Sequence, residues 1–303
     1  MHEVRARCNG FDLIHVHYID RVVLTLAKVL ATERTKVVVS YWGSDIYRKE
    51  DETFIKEEKA LLRADNITFI TEEMRQIFRQ KYGTQFDDKL YILDFGIGVL
   101  DNIDSLEKGE IKSNTIYSEK GKINIAIGYN ASREQQHLEI INAICGCNNI
   151  PRDKIHLFLH MGYGDISDAY MSKIREALQK TGCSYTISMK FMDEKEIAEL
   201  RMSMDIYING CTTDALSASM LEYLYAGCLV MNPKWIKNEF LKEQKIKYIE
   251  YNSFNALSLK LENRLNKKSI GLSKDDKNYN HEIIKRSFLW KNIIKKWDKI
   301  YEL

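Results

Sequence analysis

No apolar run in the 303-residue sequence approaches the roughly 18 residues of a membrane span, so no transmembrane helix is expected. The opening MHEVRARCNGFDLIHVHYI has no apolar core ahead of its first strand-like run and does not read as a secretory signal. An excess of one charge is also lacking. Lys and Arg number 45 against 43 Asp and Glu, and a net charge of +2 points to no nucleic-acid partner. The six cysteines (Cys8, Cys145, Cys147, Cys183, Cys211, Cys228) show neither disulfide-framework nor zinc spacing, and Cys145-Gly-Cys147 is not CxxC. Reduced thiols in a cytoplasmic protein are the expectation. There is no D-x-D pair at a strand end and no His/Cys cluster, so neither a catalytic metal nor a cofactor is expected. What remains is an ordinary globular composition, 45% hydrophobic and 29% charged, in a chain long enough for two domains.

Short β-rich runs alternate with longer helical patterns. Leu13–Tyr18, Val37–Tyr41, Ile67–Ile70 and Leu90–Leu93 read as buried strands, with helices near 20–32, 51–64 and 72–82. Residues 101–121 have few apolar side chains and no sustained period, which puts a linker at 106–121 after a first domain of residues 1–105. The alternation then restarts with strands at 123–128, 155–160, 185–189, 205–209 and 228–232, and helices between them, in a second domain of residues 122–279. The last stretch, HEIIKRSFLWKNIIKKWDKIYEL, reads as one amphipathic helix, so residues 280–303 are set apart. The fold class is α/β: two Rossmann-like, doubly wound domains facing a cleft, with ligands at the carboxyl ends of the strands.

The most informative stretch is Asp214–Gly227, DALSASMLEYLYAG, which follows the strand at 205–209. Ser217 or Ser219 can cap its helix, and small side chains around the first-turn amides suit a diphosphate. Glu222 lies too deep for a routine dipole-stabilising acid, and ribose hydroxyls are its natural partners. The plain alternative is a capped helix with one solvated Glu.

This stretch resembles the E-x7-E segment of family 4 glycosyltransferases of the GT-B fold, commonly written EGFGLPLLEAMACG. Asp214 falls on the first Glu, Ser217-Ala218-Ser219 on the Gly-Leu-Pro turn, and Glu222 on the second Glu. The resemblance implies that the turn amides hold the donor phosphate, Glu222 the ribose and Asp214 the transferred sugar. Asp for Glu at 214 shortens that reach by one methylene. DLIHVHY (12–18), VVVSYWGSDIYR (37–48), ALLRADNITFITEEMRQIF (60–78), SMKFMDEKEIAELRMSMDIYI (188–208) and SFLWKNIIKKWDKIY (287–301) resemble further family segments in the same order. The last is similar to the family's closing helix, which crosses back to the first domain.

The loop GYNASREQQH (128–137) departs from the family's GRLxxxKG and offers Arg133, Asn130, Gln136 and His137 to the diphosphate. With HMGYGD (160–165), which contributes Gly162, it is closer to the 4-acetamido-4,6-dideoxygalactose transferases, which invert. Lys190, Phe191 and Met192 are expected at the nucleobase, with Phe191 weighed against a core position. Asp45 could act on an acceptor hydroxyl or serve as a turn acceptor. His17 could reach acceptor or donor, or be a buried imidazole. The implied activity is sugar transfer from a nucleotide diphosphate sugar to a glycan or lipid-linked acceptor in surface polysaccharide synthesis, with retention. Three alternatives stand beside it: an inverting transferase with Asp45 or His17 as base, a same-fold sugar-nucleotide epimerase, and a silent nucleotide-binding scaffold.

Cationic stretches at 234–247 and 285–299 admit a peripheral footing on the inner face of a membrane or a solvated face. Family members carry further β-α units ahead of the D-x-I-H-x-H segment, which begins here at Asp12. The first domain is thus expected to be abbreviated, through a truncated reading frame, as a naturally minimal domain or because a partner chain completes its sheet, and self-association or a partner through this domain is expected.

Overall fold

The computed structural model describes residues 11–113, 117–164, 167–267 and 269–302. Residues 1–10 with Cys8, linker residues 114–116 and Asp165 lie outside the described residues. The described chain forms two compact units: one of residues up to Gly96 with Asp214–Leu216 and Trp290 onward, the other of Ile97–Thr213 and Ser217–Leu289.

In the first unit the β-branched runs become β1 (Leu13–His17), β2 (Lys36–Ser40), β3 (Asn66–Phe69) and β4 (Leu90–Ile92). They pair in parallel in the order β1-β2-β3-β4. Parallel neighbours need crossovers, here helices Arg21–Leu30, Asp51–Leu61 and Glu72–Tyr82. Asp20 caps the first by accepting from the amides of Val22 and Val23, and Thr71 caps the third through Met74 N. The strand period of two sorts β2 between two cores. Val37 and Val39 pack with Phe54, Ile67, Phe69 and Phe78, whereas Val38 packs with Leu93, Trp297 and Ile300. A polar row crosses this sheet. His15 Nδ1 meets Tyr301 Oη at 2.7 Å, its Nε2 meets Ser40 Oγ at 2.7 Å, and Ser40 Oγ meets Thr68 Oγ1 at 2.6 Å.

The second unit carries β5 (Ile123–Ile127), β6 (Ile155–His160), β7 (Ser184–Ser188), β8 (Ile206–Ile208), β9 (Leu229–Pro233) and β10 (Ile249–Tyr251). All pair in parallel, in the order β10-β9-β8-β5-β6-β7. Successive strands run outward in one direction from β5 and in the other from β8, so the winding reverses between these two. Their carboxyl ends form the switch point where such sheets bind ligands.

Two expected boundaries move. The polar stretch 101–121 is not all connection, and the first domain does not reach 105: Gly98–Glu107 is a helix of the second unit. Its acids hid it, yet Asp104 is buried because Tyr225 Oη donates to it and Lys108 and Lys285 stand 3.8 and 3.9 Å away. The single closing helix is two, Lys274–Phe288 and Trp290–Tyr301, broken where Leu289 turns extended at φ −70°, ψ 134°. Only the second of these belongs to the first unit, so the division falls at 290 rather than 280.

Burial, with the neighbouring His17 adding to it, lowers His15 from 6.5 to about 3. The unfolded chain therefore takes up this proton first as the pH falls. The stability held by neutral His15 is whole above pH 6.5 and is lost progressively as the pH drops toward about 3. Urea unfolding across this window should show a shallower acid decline for His15→Asn than for the parent chain.

Candidate functional site

The site builds up from the switch point in the second unit. Gly128 N donates to Ile208 O at 3.1 Å, so the loops that leave β5 and β8 start side by side. Thr212 N donates to Glu134 O at 2.9 Å and Gln135 Nε2 to Cys211 Sγ at 3.7 Å, tying the two loops together. Asn209 Oδ1 accepts from Cys211 N at 3.1 Å, and Trp235 Nε1 donates to Cys211 O at 2.9 Å. Helix Ala218–Tyr225 begins beyond this braced loop. Ser217 is its cap, its Oγ accepting from Met220 N at 3.4 Å. The first-turn amides of Ala218 and Ser219 have no acceptor within the helix, and the helix dipole adds positive potential there. Ala218 is exposed, leaving this end open to an anion.

Glu222 is neither solvated nor set among hydroxyls alone. It is buried, and its Oε2 accepts from Arg201 Nε at 3.0 Å. Arg201 comes from helix Glu194–Met202 and is itself buried. Its Nη1 donates to Tyr223 Oη at 2.8 Å and its Nη2 to Ser219 Oγ at 3.2 Å. The guanidinium carbon lies 4.3 Å from the Tyr223 ring centroid, and that ring stacks on Tyr207 at 4.2 Å. Ser219 is thus an Arg partner, not the cap. Sequence reasoning passed over Arg201. The available signal was a lone cation between apolar Leu200 and Met204, where the family pattern has Tyr.

Comparisons with known proteins now bear on this geometry. Residues 6–71 match the model described as "Glycosyl transferase 4-like". Sucrose-phosphate synthase from Thermosynechococcus elongatus superposes with a TM-score of 0.73 at 13% identity, over 99% of this chain and 75% of that one. HepE from Anabaena, in complex with UDP and glucose, gives 0.70 at 13% identity over 100% and 81%. A glycosyltransferase from Rickettsia africae gives 0.67 at 16% identity over 99% and 78%. The chain has the GT-B fold of these structures. No curated protein matches it by sequence.

The remaining residues expected at the donor are less uniform than their motif suggests. Arg133 is exposed, its Nη2 donating to Ser167 Oγ at 3.2 Å and its guanidinium carbon 5.2 Å from the Tyr170 centroid. Asn130 Oδ1 accepts from Ser132 N at 2.9 Å, so it shapes its own turn. Gln136, at φ 50°, sets the entry to helix His137–Cys145. His137 is fully buried at the start of that helix. Burial lowers it to about 4, so it is neutral near pH 7 and adds no charge toward a phosphate; its enclosure corrects the expectation of direct contact.

Gly162 is explained by packing: a Cβ there would stand 2.1 Å from Lys190 O. It admits the loop after β7 to the end of β6, where His160 Nε2 meets the same carbonyl at 3.2 Å. Lys190 forms an ion pair with Glu196, Met192 is buried, and Phe191 is 72% exposed rather than in the core.

The three residues expected at the chemistry all group with the first unit. Asp45 is buried, and its carboxylate clasps a loop: Oδ1 accepts from Trp42 N and Gly43 N, both at 2.9 Å, and Oδ2 from Ile19 N at 3.0 Å. That is the turn-acceptor alternative, and it leaves the acid poorly placed to act as a base. His17, exposed at the end of β1, lies 5.8 Å from the Trp42 centroid and 5.5 Å from that of Phe95. Burial of part of its ring lowers its pKa, leaving a neutral imidazole. Asp214 enters next to the clasped loop. A Cβ on Gly43, at φ +129°, would lie 3.4 Å from Ala215 Cβ, and Ala215 belongs to the first unit's core. Burial, with Glu73 and Asp214 adding to it, pushes the Tyr47 hydroxyl up to about 12.

Replacing Asp45 by Ala strands three backbone amides and should cost about 2–4 kcal/mol in urea unfolding. An unchanged midpoint would mean that the clasp carries no stability.

Proposed function

We propose that the enzyme transfers a sugar from a nucleotide diphosphate sugar to a glycan or lipid-linked acceptor, with retention, in the assembly of a surface polysaccharide. The observation that carries this reading is the open, Ser217-capped helix start at the β5/β8 switch point. The amides of Ala218 and Ser219 take the diphosphate, with Arg133 as the exposed cation of the neighbouring loop. Glu222 takes the ribose and Asp214 the transferred sugar. Exposed Phe191 and the loop around it take the base. Complexes of the similar HepE contain UDP and UDP-glucose, which supports a ligand of this class.

The E-x7-E likeness supports retention, and the commitment of both Asp45 oxygens to backbone amides disfavours Asp45 as an inverting base. In that chemistry the bond from the anomeric carbon to the phosphate oxygen breaks and the nucleotide diphosphate leaves with the electron pair. The acceptor hydroxyl attacks from the same face and yields its proton to the departing oxygen. Product of the opposite anomer would overturn retention and move the base role to His17.

Among the described residues no helix is long and apolar enough to cross a membrane. Contact with a lipid-linked acceptor would be peripheral, through lysine-bearing faces. In the 234–247 stretch Ile236, Leu241 and Ile246 point into the core while Lys234, Lys237, Lys242, Lys245 and Lys247 stay exposed. Donor binding needs no metal in this reading, since helix amides supply the positive potential.

Three measurements test the proposal. Nucleotide sugars should raise the melting temperature in a thermal-shift screen, and nucleotide diphosphate affinity should survive chelator; a strict need for magnesium or manganese would count against the amide site. Asp214→Asn should lower turnover about tenfold or more while nucleotide affinity holds, because the contact is to the sugar. Equal losses in both would remove Asp214 from that role.

A further inference from the structure

We propose that Arg201 is the positioning residue of the nucleotide site, holding Glu222 and Ser219 in the one arrangement that receives a ribonucleotide. The inference rests on the donor reading above. Arg201 directs three donors at Ser219, Glu222 and Tyr223 of helix Ala218–Tyr225. These three are spaced i, i+3 and i+4, so they share one face, the face of the first turn. A guanidinium is a planar, rigid fork, and docking it into three acceptors leaves the Glu222 carboxylate little freedom to rotate. Oε2 is committed at 3.0 Å, and a carboxylate retains further lone pairs for ribose hydroxyls.

The pair also solves a problem of charge. An uncompensated carboxylate one turn inside the helix would repel a diphosphate arriving at the amides of Ala218 and Ser219. The guanidinium cancels that charge from within the protein, so Glu222 can offer acceptors without opposing the anion. The influence of Arg201 extends to the end of β6, where burial first and then its charge lower the pKa of His160. Stability alone does not account for the arrangement. Buried ion pairs are commonly replaceable by apolar residues at no loss, whereas removing one partner is damaging.

The test is discrimination between ribose and dideoxyribose, a readout that a merely structural role would not move. UDP, GDP, ADP and CDP are titrated into the full chain by calorimetry beside their 2′,3′-dideoxy counterparts. The parent chain should favour the ribose form by about tenfold or more, as for lost hydrogen bonds to a charged group. Arg201→Gln should bring the ratio close to one. Should Arg201→Gln melt early because Glu222 is left unpaired, Arg201→Lys carries the test, since it keeps the charge but not the fork. It should narrow the ratio while retaining part of the diphosphate affinity. A ratio unchanged in a folded Arg201 variant, or a loss equal for both sugar forms, overturns the positioning role alone. A parent chain indifferent to the sugar removes Glu222 from the ribose, and the proposal with it. Absence of any nucleotide binding overturns the donor reading itself.

Discussion

Parallel pairing in both sheets is the constraint on which the rest of the protein depends. A parallel strand cannot return through a tight turn, so each strand of the second sheet leads into a loop at its carboxyl end before the chain crosses back. Gly128 after β5, His160 at the end of β6 and Asn209 after β8 all stand at that end. Reversal of the winding between β5 and β8 then separates two crossovers and opens the sheet beside the start of helix Ala218–Tyr225. No special backbone is needed to make the open helix start. It follows from strand order and a capping serine.

The fold was largely legible because its strands are β-branched runs separated by amphipathic helices, a pattern that survives without any tertiary information. Val37-Val38-Val39 is the clearest instance, read as a buried strand and found between two cores. The parts that escaped are those where tertiary partners override local appearance. Helix Gly98–Glu107 looks like a polar linker until Tyr225 and two lysines accommodate Asp104. The break at Leu289 carries neither proline nor glycine, and a buried leucine in extended backbone leaves no mark in the periodicity.

The site was legible in part, for the same reason. Ser217 as cap follows from its place before an apolar helix, and the helix start at a strand end follows from the alternation. What Glu222 touches does not. Its partner lies 21 residues away on another helix, and only the packing of those two helices brings Arg201 under the first turn. Asp45 is the converse case. Gly-Ser-Asp after a strand suits a reactive loop and a clasped loop equally, and three backbone amides decide for the clasp. Likewise the partners of the cations expected at the donor, Ser167 for Arg133 and Glu196 for Lys190, lie on other segments and are not legible in the motif.

The first unit is assembled from three separate stretches of chain, and this bears on how the protein is made. The face of its sheet that holds Val38 and Leu93 is covered by Trp297 and Ile300 of the closing helix, and Ala215 fills part of the opposite core. A ribosome that has finished β4 has therefore supplied a sheet with one side open to water, and just over two hundred residues follow before Trp297 emerges. The second unit, continuous but for three residues, can close earlier. Synthesis thus inverts the usual N-terminal-first order of domain folding: the half that is translated first is the last to be completed.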